Sequence, residues 1–305
     1  MTSRRCCCLL ALAAIVAAPA PATAQELEPK AYSASPVGAT FLIAALSRST
    51  GSVVFDPTLP ITDASAGING AVIGVGHTFP VLGKLALFSA AVPFAWGDIS
   101  GEVGEEARAV TRSGLADTRL KFSINLRGND AMRLAEFAAT PRRTIVGASI
   151  TVSAPAGEYD RTKLINIGNH RWAFKPEIGI AVPKGPWDVD AYLGVWLFTS
   201  NGDYYPGDRV RHQEALLAMQ GHVSYTFKPR LWLAMNGTWY RGGAARVEPG
   251  DPIGAVNNSR VGITLSLPAS RRQSLKVSYS DGMTVRSGTD FRSIAVAYQW
   301  MLLRP

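Results

Sequence analysis

From residue 36 onward, apolar and polar residues alternate with a period of two, in stretches bounded by Gly, Pro, Asn or Asp. Twelve such stretches can be marked, at 36–47, 67–79, 83–96, 115–127, 143–155, 171–183, 186–199, 212–227, 230–242, 257–267, 272–282 and 290–302. The pair around Lys228 and Pro229 displays the pattern: Val223, Tyr225, Phe227, Leu231, Leu233, Met235 and Trp239 share one face. Gln220, His222, Ser224, Thr226, Arg230, Trp232, Ala234, Asn236 and Tyr240 share the other. Each stretch predicts a β-strand long enough to cross a bilayer when tilted, which takes about 9 to 11 residues.

The links alternate in length. Short ones fall at Pro80 to Leu82, Pro183 to Gly185, Lys228 with Pro229, and Pro268 to Arg271. Long ones fall at Arg48 to Ala66, Gly97 to Gly114, Ala156 to His170, Ser200 to Arg211, Gly243 to Val256, and Gly282 to Thr289. Short turns on one rim and long loops on the other predict an all-β fold: an antiparallel transmembrane β-barrel of about 12 strands with short periplasmic turns and longer extracellular loops. An even strand number puts both chain ends on the periplasmic side. Residues 128–142 break the rule, and the helical spacing of Met132, Leu134 and Phe137 predicts a short helix that plugs or caps the periplasmic rim, or else lies on its surface.

A soluble β-sandwich alternates too, so the aromatic positions decide which face meets lipid. On the apolar face Phe94, Trp96, Trp172, Phe174, Trp239 and Tyr279 collect toward the long-loop end, and Tyr225, Phe227, Tyr298 and Trp300 toward the short-turn end. Leu, Val, Ile, Ala and Gly lie between them. Two aromatic girdles around an aliphatic belt describe a lipid-facing surface. Thr40 to Leu46 and Leu85 to Phe94 are apolar on both faces, which leaves the registers of the first three strands open.

Composition narrows the picture further. Arg4 and Arg5, the apolar run 6–19 and the small-residue site Ala22-Thr23-Ala24 predict a signal peptide over 1–24. Residues 25–35 then form a periplasmic segment ahead of a barrel spanning 36–305. All three cysteines, Cys6, Cys7 and Cys8, lie in the signal, so the mature chain offers no disulfide or thiolate chemistry. Its loss lowers the formal charge from +8 to +6, carried by scattered single residues without the basic runs of nucleic-acid binders.

The polar faces supply the candidate lumen: Arg119, Lys121, Lys175, Glu177, Tyr192, Trp196, Phe198, Gln220, His222, Trp232, Asn236 and Tyr240. Arg127, Arg230, Arg260, Lys276, Asp188, Asp190 and Glu214 add charge to it. Such a lumen suits a conducting pore. It equally suits a closed barrel filled by internal salt bridges, since twelve strands lie between filled and open barrels. The aromatic members offer stacking surfaces for an apolar or aromatic solute, or simply pack the interior. No catalytic site is expected. His77, His170, His212 and His222 have no metal-ligand spacing, and none pairs with a serine on the lipid face as an outer-membrane lipid hydrolase would need.

Four blocks resemble the outer-membrane transporters of the MetA pathway of phenol degradation: LEPKAYSASPVGATFLIAAL (27–46), SGLADTRLKFSINL (113–126), PAGEYD with INIGNHRWAFKPEIGIAVPKG (155–185), and HVSYTFKPRLWLAMNGTWYRGG (222–243). The resemblance implies a bacterial outer-membrane barrel that admits hydrophobic or aromatic compounds. Its expected partners are outer-membrane lipids and lipopolysaccharide, the barrel-insertion machinery and the solute. No cofactor, metal or nucleic acid is expected.

Overall fold

A computed structural model describes residues 27–53, 61–103, 106–284 and 289–303. The signal peptide expected over 1–24 lies outside the described residues. In chain order the strands are β1 (Ala39–Val53), β2 (Ile61–Val81), β3 (Lys84–Val103), β4 (Glu106–Leu115), β5 (Thr118–Arg127), β6 (Ile145–Ala154), β7 (Ala173–Lys184) and β8 (Trp187–Phe198). There follow β9 (Asn201–Tyr204), β10 (Arg209–Gln213), β11 (Leu216–Lys228), β12 (Leu231–Gly242), β13 (Ala245–Val247), β14 (Val256–Pro268), β15 (Gln273–Thr284) and β16 (Thr289–Leu303).

Neighbours pair antiparallel in the order β2-β1-β16-β15-β14-β12-β11-β8-β7-β6-β5-β3-β4, and β2 also pairs with β3, which closes the ring. β4 and β5 are two halves of one stave. β4 pairs with β3 from Phe94↔Leu115 to Val103↔Glu106, and β5 takes over at Ala91↔Arg119. Counted so, twelve staves form the barrel, and β9, β10 and β13 make a separate three-stranded sheet over the long-loop rim. The break between the half-staves is held by Asp117, whose carboxylate accepts the Gly157 and Asn169 backbone N–H at 3.1 and 3.0 Å and Asn169 Nδ2 at 2.9 Å.

The β2–β3 pairing closes the ring of staves, the condition for a sheet in lipid. The outer face is the aliphatic belt that the alternation predicts, with Leu46 62%, Ile73 74% and Met235 69% exposed. At the short-turn rim, Leu82 and Gly83 both take left-handed φ values, 49° and 75°, suited to a two-residue hairpin. The hinge expected at Lys228 and Pro229 sits one residue on: Lys228 pairs with Leu231, and the turn is Pro229-Arg230, with Arg230 at φ 64°.

Two expected long loops, 48–66 and 97–114, are largely strand. There the β1–β2 and β2–β3–β4 ladders run past the aliphatic belt, and the outer face turns polar through Ser65, Asp98, Ser100 and Thr111. The apolar period disappears although the ladder continues. Ser65 Oγ to Ser100 Oγ at 3.1 Å and Thr111 Oγ1 to Asp98 at 2.6 Å replace lipid contacts. Arg127, expected on the lumen face, is turned off it. A bulge between Asn125 and Arg127 sets it opposite Val146, on the outward phase, and leaves it exposed. Glu214 is likewise exposed, in the link between β10 and β11.

The helix expected in 128–142 is α1, Leu134–Ala139, and it buries none of its own residues. The flanking chain docks instead. Ala131 N–H donates to Gly83 O and Val37 N–H to Met132 O, both at 2.9 Å, and Met132 is buried at the rim.

A barrel so enclosed resists detergent. Heat-modifiable gel migration and a β-rich circular dichroism spectrum in detergent micelles are expected. A stable monomer in detergent-free buffer would contradict the lipid-facing belt.

Candidate functional site

The lumen is not empty. Residues 27–35, the described part of the segment expected ahead of the barrel, run inside the barrel from mid-height to the short-turn rim. Glu28 reaches Lys121 on β5 at 2.5 Å, and its N–H lies 3.5 Å from Gln220 Oε1 on β11. Lys30 Nζ pairs with Asp188, its N–H donates to Asp190 at 3.1 Å, and Ala31 N–H donates to Tyr192 Oη at 3.0 Å. Beyond it, Thr78 Oγ1 donates to Pro36 O at 2.8 Å, and β1 begins.

Tyr32 is the wedge of this segment, 1% exposed. Its hydroxyl donates to Glu177 Oε1 at 3.1 Å and hydrogen-bonds Ser149 Oγ at 3.0 Å. Its ring meets Tyr192 edge-on at 5.2 Å. The seat is built from two glycines that pair across β6 and β7, Gly147↔Gly179. A Cβ on either would overlap the Tyr32 ring, so the absence of side chains makes the flat bed it lies on. Between the segment, Met132, Phe137 and the wall residues Ile145, Ala181 and Pro183 a cavity of about 200 Å³ remains at the short-turn rim.

The candidate lumen residues separate into two levels. Lys121, Lys175, Glu177, Tyr192, Gln220, His222, Trp232 and Asn236 surround the segment. Lys175 and Glu177 are fully buried and 3.0 Å apart. His222 Nδ1 is 2.9 Å from Asn236 Oδ1, and Asn236 Nδ2 donates to Thr264 Oγ1 at 3.0 Å. Trp232 sits between Lys30 and Lys276, whose Nζ atoms lie 5.7 and 5.8 Å from its ring. Arg119 on β5 is half-buried. Toward the long-loop mouth, Trp196 and Phe198 stack at 6.4 Å, and Tyr240 is buried opposite Asn258.

Tracing the inward phase through the registers divides the wall chemically. On β16, β1, β2 and β3 the inward positions are uncharged and mostly small or apolar, with Ala295 and Ala297, Ile43 and Ala45, Gly70 and Val72, Ala91, Pro93 and Ala95 at mid-height and Ser47, Ser89, Ser293 and Gln299 among them. From β5 round to β15 they are charged or hydrogen-bonding. The stretches with two apolar faces thus have lipid on one side and this sector of the lumen on the other.

The girdle candidates Phe94, Trp172, Phe227, Tyr279, Tyr298 and Trp300 are exposed on the outer face, and Trp96, Phe174, Tyr225 and Trp239 are half-buried there. Trp187, outside the expected set, joins the short-turn ring with its centroid 4.9 Å from Tyr225. The aromatic-after-turn position of Trp187 carried that signal. Glu28, Lys30 and Tyr32 also lie outside the expected set, because nothing in a short polar segment marks its partners as distant lumen residues.

A family model described as "Putative MetA-pathway of phenol degradation" matches residues 58–300. No curated protein matches the chain in sequence. Among solved structures it is similar to the COG4313 outer membrane channel from Pseudomonas putida F1, with TM-score 0.75 and 19% identity, covering 91% of this chain and 100% of that one. It is also similar to the β domain of the Bordetella autotransporter BrkA, with TM-score 0.53 and 11% identity, covering 87% and 100%. At these identities the likenesses concern the fold.

Proposed function

The chain belongs to the family of the MetA pathway of phenol degradation, and from that membership we propose that it is a passive outer-membrane channel for small hydrophobic or aromatic compounds. In this reading the short-turn rim and both chain ends face the periplasm, and the protein is not an enzyme. The observation that carries it is the divided inner wall. A sector of uncharged, mostly small or apolar residues on β16, β1, β2 and β3 gives an uncharged solute a weakly hydrated surface, while the charged sector anchors the segment 27–35. That segment is held by side chains and single hydrogen bonds, without a strand ladder.

The filled lumen also favours a second reading, a closed barrel with a structural or surface-interaction role. Uptake of labelled toluene by cells carrying this protein in an otherwise channel-poor outer membrane separates the two. Uptake above the empty-vector rate is expected, and Val72→Asp, which puts a charge in the apolar sector, should reduce it on the order of tenfold. A rate equal to the vector control with folded protein in the membrane favours the closed barrel, and uptake indifferent to Val72→Asp removes the apolar path.

A further inference from the structure

The long-loop mouth holds a cation without a counter-ion. Arg171, just ahead of β7, is 8% exposed, and among the described residues it forms no ion pair. Its Nη2 donates to the Gln213 amide oxygen, and its Nη1 has no hydrogen-bond partner. The carboxylate whose charge it feels, Asp117, has its oxygens occupied by Gly157 and Asn169 N–H groups. Arg211 adds a second positive charge nearby. Burial and then Arg211 pull the Arg171 guanidinium down to about 9, which leaves it cationic at neutral pH.

Burying a charge and leaving it unpaired is costly, so a site that retains one is matched to a group of opposite charge. The surroundings specify what carries that group. The Arg171 guanidinium lies 4.5 Å from the Phe198 ring centroid, Phe198 stacks with Trp196 at an interplanar angle of 13°, and Lys175 Nζ is 5.5 Å from the Trp196 ring. Both rings remain half-exposed on the inward phase of β8. A flat ring can stack on them while an attached anion reaches the guanidinium as a charge-assisted, bidentate pair.

We infer that Arg171, Trp196 and Phe198 form an entry site for aromatic carboxylates, in which the guanidinium takes the carboxylate and the two rings take the aromatic body. This deepens the channel reading and rests on it for its role in transport, although binding can be measured without flux. Neutral aromatic compounds would use the rings alone, so the site would rank solutes by charge.

Calorimetric titration of the full-length protein in detergent tests this with three probes: benzoate, benzyl alcohol as its uncharged counterpart, and acetate as the anion without a ring. Saturable benzoate binding is expected, weakened roughly tenfold or more by Arg171→Gln and less by Arg171→Lys, with benzyl alcohol unaffected by either change. Trp196→Ala, which leaves the cation in place, should weaken benzoate as well. Heat-modifiable migration of each variant checks that the barrel is intact. The inference is overturned if wild-type protein binds acetate as well as benzoate, if benzoate does not bind, or if Arg171→Gln lowers benzoate and benzyl alcohol equally. Toluene uptake without benzoate binding would defeat this site alone. Arg171-dependent benzoate binding without any uptake would defeat the channel reading alone.

Discussion

Deletion of residues 27–35 is expected to raise the single-channel conductance of the reconstituted barrel on the order of tenfold, because the segment crosses the lumen where its walls are most densely charged. The ladder does not depend on it. β1 starts at Ala39, and Pro36 to Gly38 keep their own anchors, with Gly38 N–H on Thr78 O at 2.8 Å. The carboxylates and lysine that lose partners, Asp188, Asp190 and Lys121, would be met by entering water instead of being stranded. Gly179→Leu is an independent route to the same state, since a side chain there occupies the bed of the Tyr32 ring without shortening the chain. Planar-bilayer recordings of both variants against wild type decide it. Equal conductance in all three would mean that the segment does not limit the pore.

Glu177→Ala has the largest expected effect on stability, about 3–5 kcal/mol. The side chains of Lys175 and Glu177 are 0% and 1% exposed, so solvent cannot replace the lost carboxylate, and the Tyr32 hydroxyl loses its acceptor in the same step. Replacing both members, as Lys175→Met with Glu177→Leu, removes the buried cation together with its carboxylate and should cost much less than Glu177→Ala alone. Urea unfolding in lipid vesicles, followed by tryptophan fluorescence, measures the difference. A double variant as unstable as the single one would show that the carboxylate acts through other contacts than Lys175.

The barrel was legible because lipid imposes one rule on every stave: the outward phase of β7, β11, β12, β14 and β15 must be apolar, and alternation with period two follows directly. Where the lipid ends, so does the rule. The outer ends of β2, β3 and β4 present Ser65, Asp98, Ser100 and Thr111 to water, and their ladders read as polar loops. Arg127 misled for a different reason. Period-two counting carries no information about an inserted residue, so one bulge reverses the assigned face of everything beyond it.

The candidate lumen set was legible at the level of faces and silent at the level of contacts. Tyr192, His222 and Asn236 fall on the inward phase by counting alone. That Tyr32 would lie among such residues required knowing that Gly147 and Gly179 sit side by side on adjacent staves, a pairing fixed by register rather than composition. Arg171 is similar. As a single basic residue before a strand it looks solvated, and only the enclosure by Phe198, Gln213 and the anchored Asp117 loop makes its charge conspicuous.

The ring is sealed by β1 against β16, from Ala39↔Leu303 to Val53↔Thr289, which joins the first stave to the last. No incomplete chain can therefore form the seam. Until β16 is available, β1 presents an unsatisfied edge, and the contact that ends this exposure has the greatest sequence separation of any pairing in the barrel. The segment 27–35 is continuous with that same β1 edge. Its partners Lys121, Glu177 and Asp188 come from staves made later, so the plug and the seam next to it in the chain both wait for later staves. Slow folding is expected of this arrangement, with the interior furnished at about the time the wall is finished.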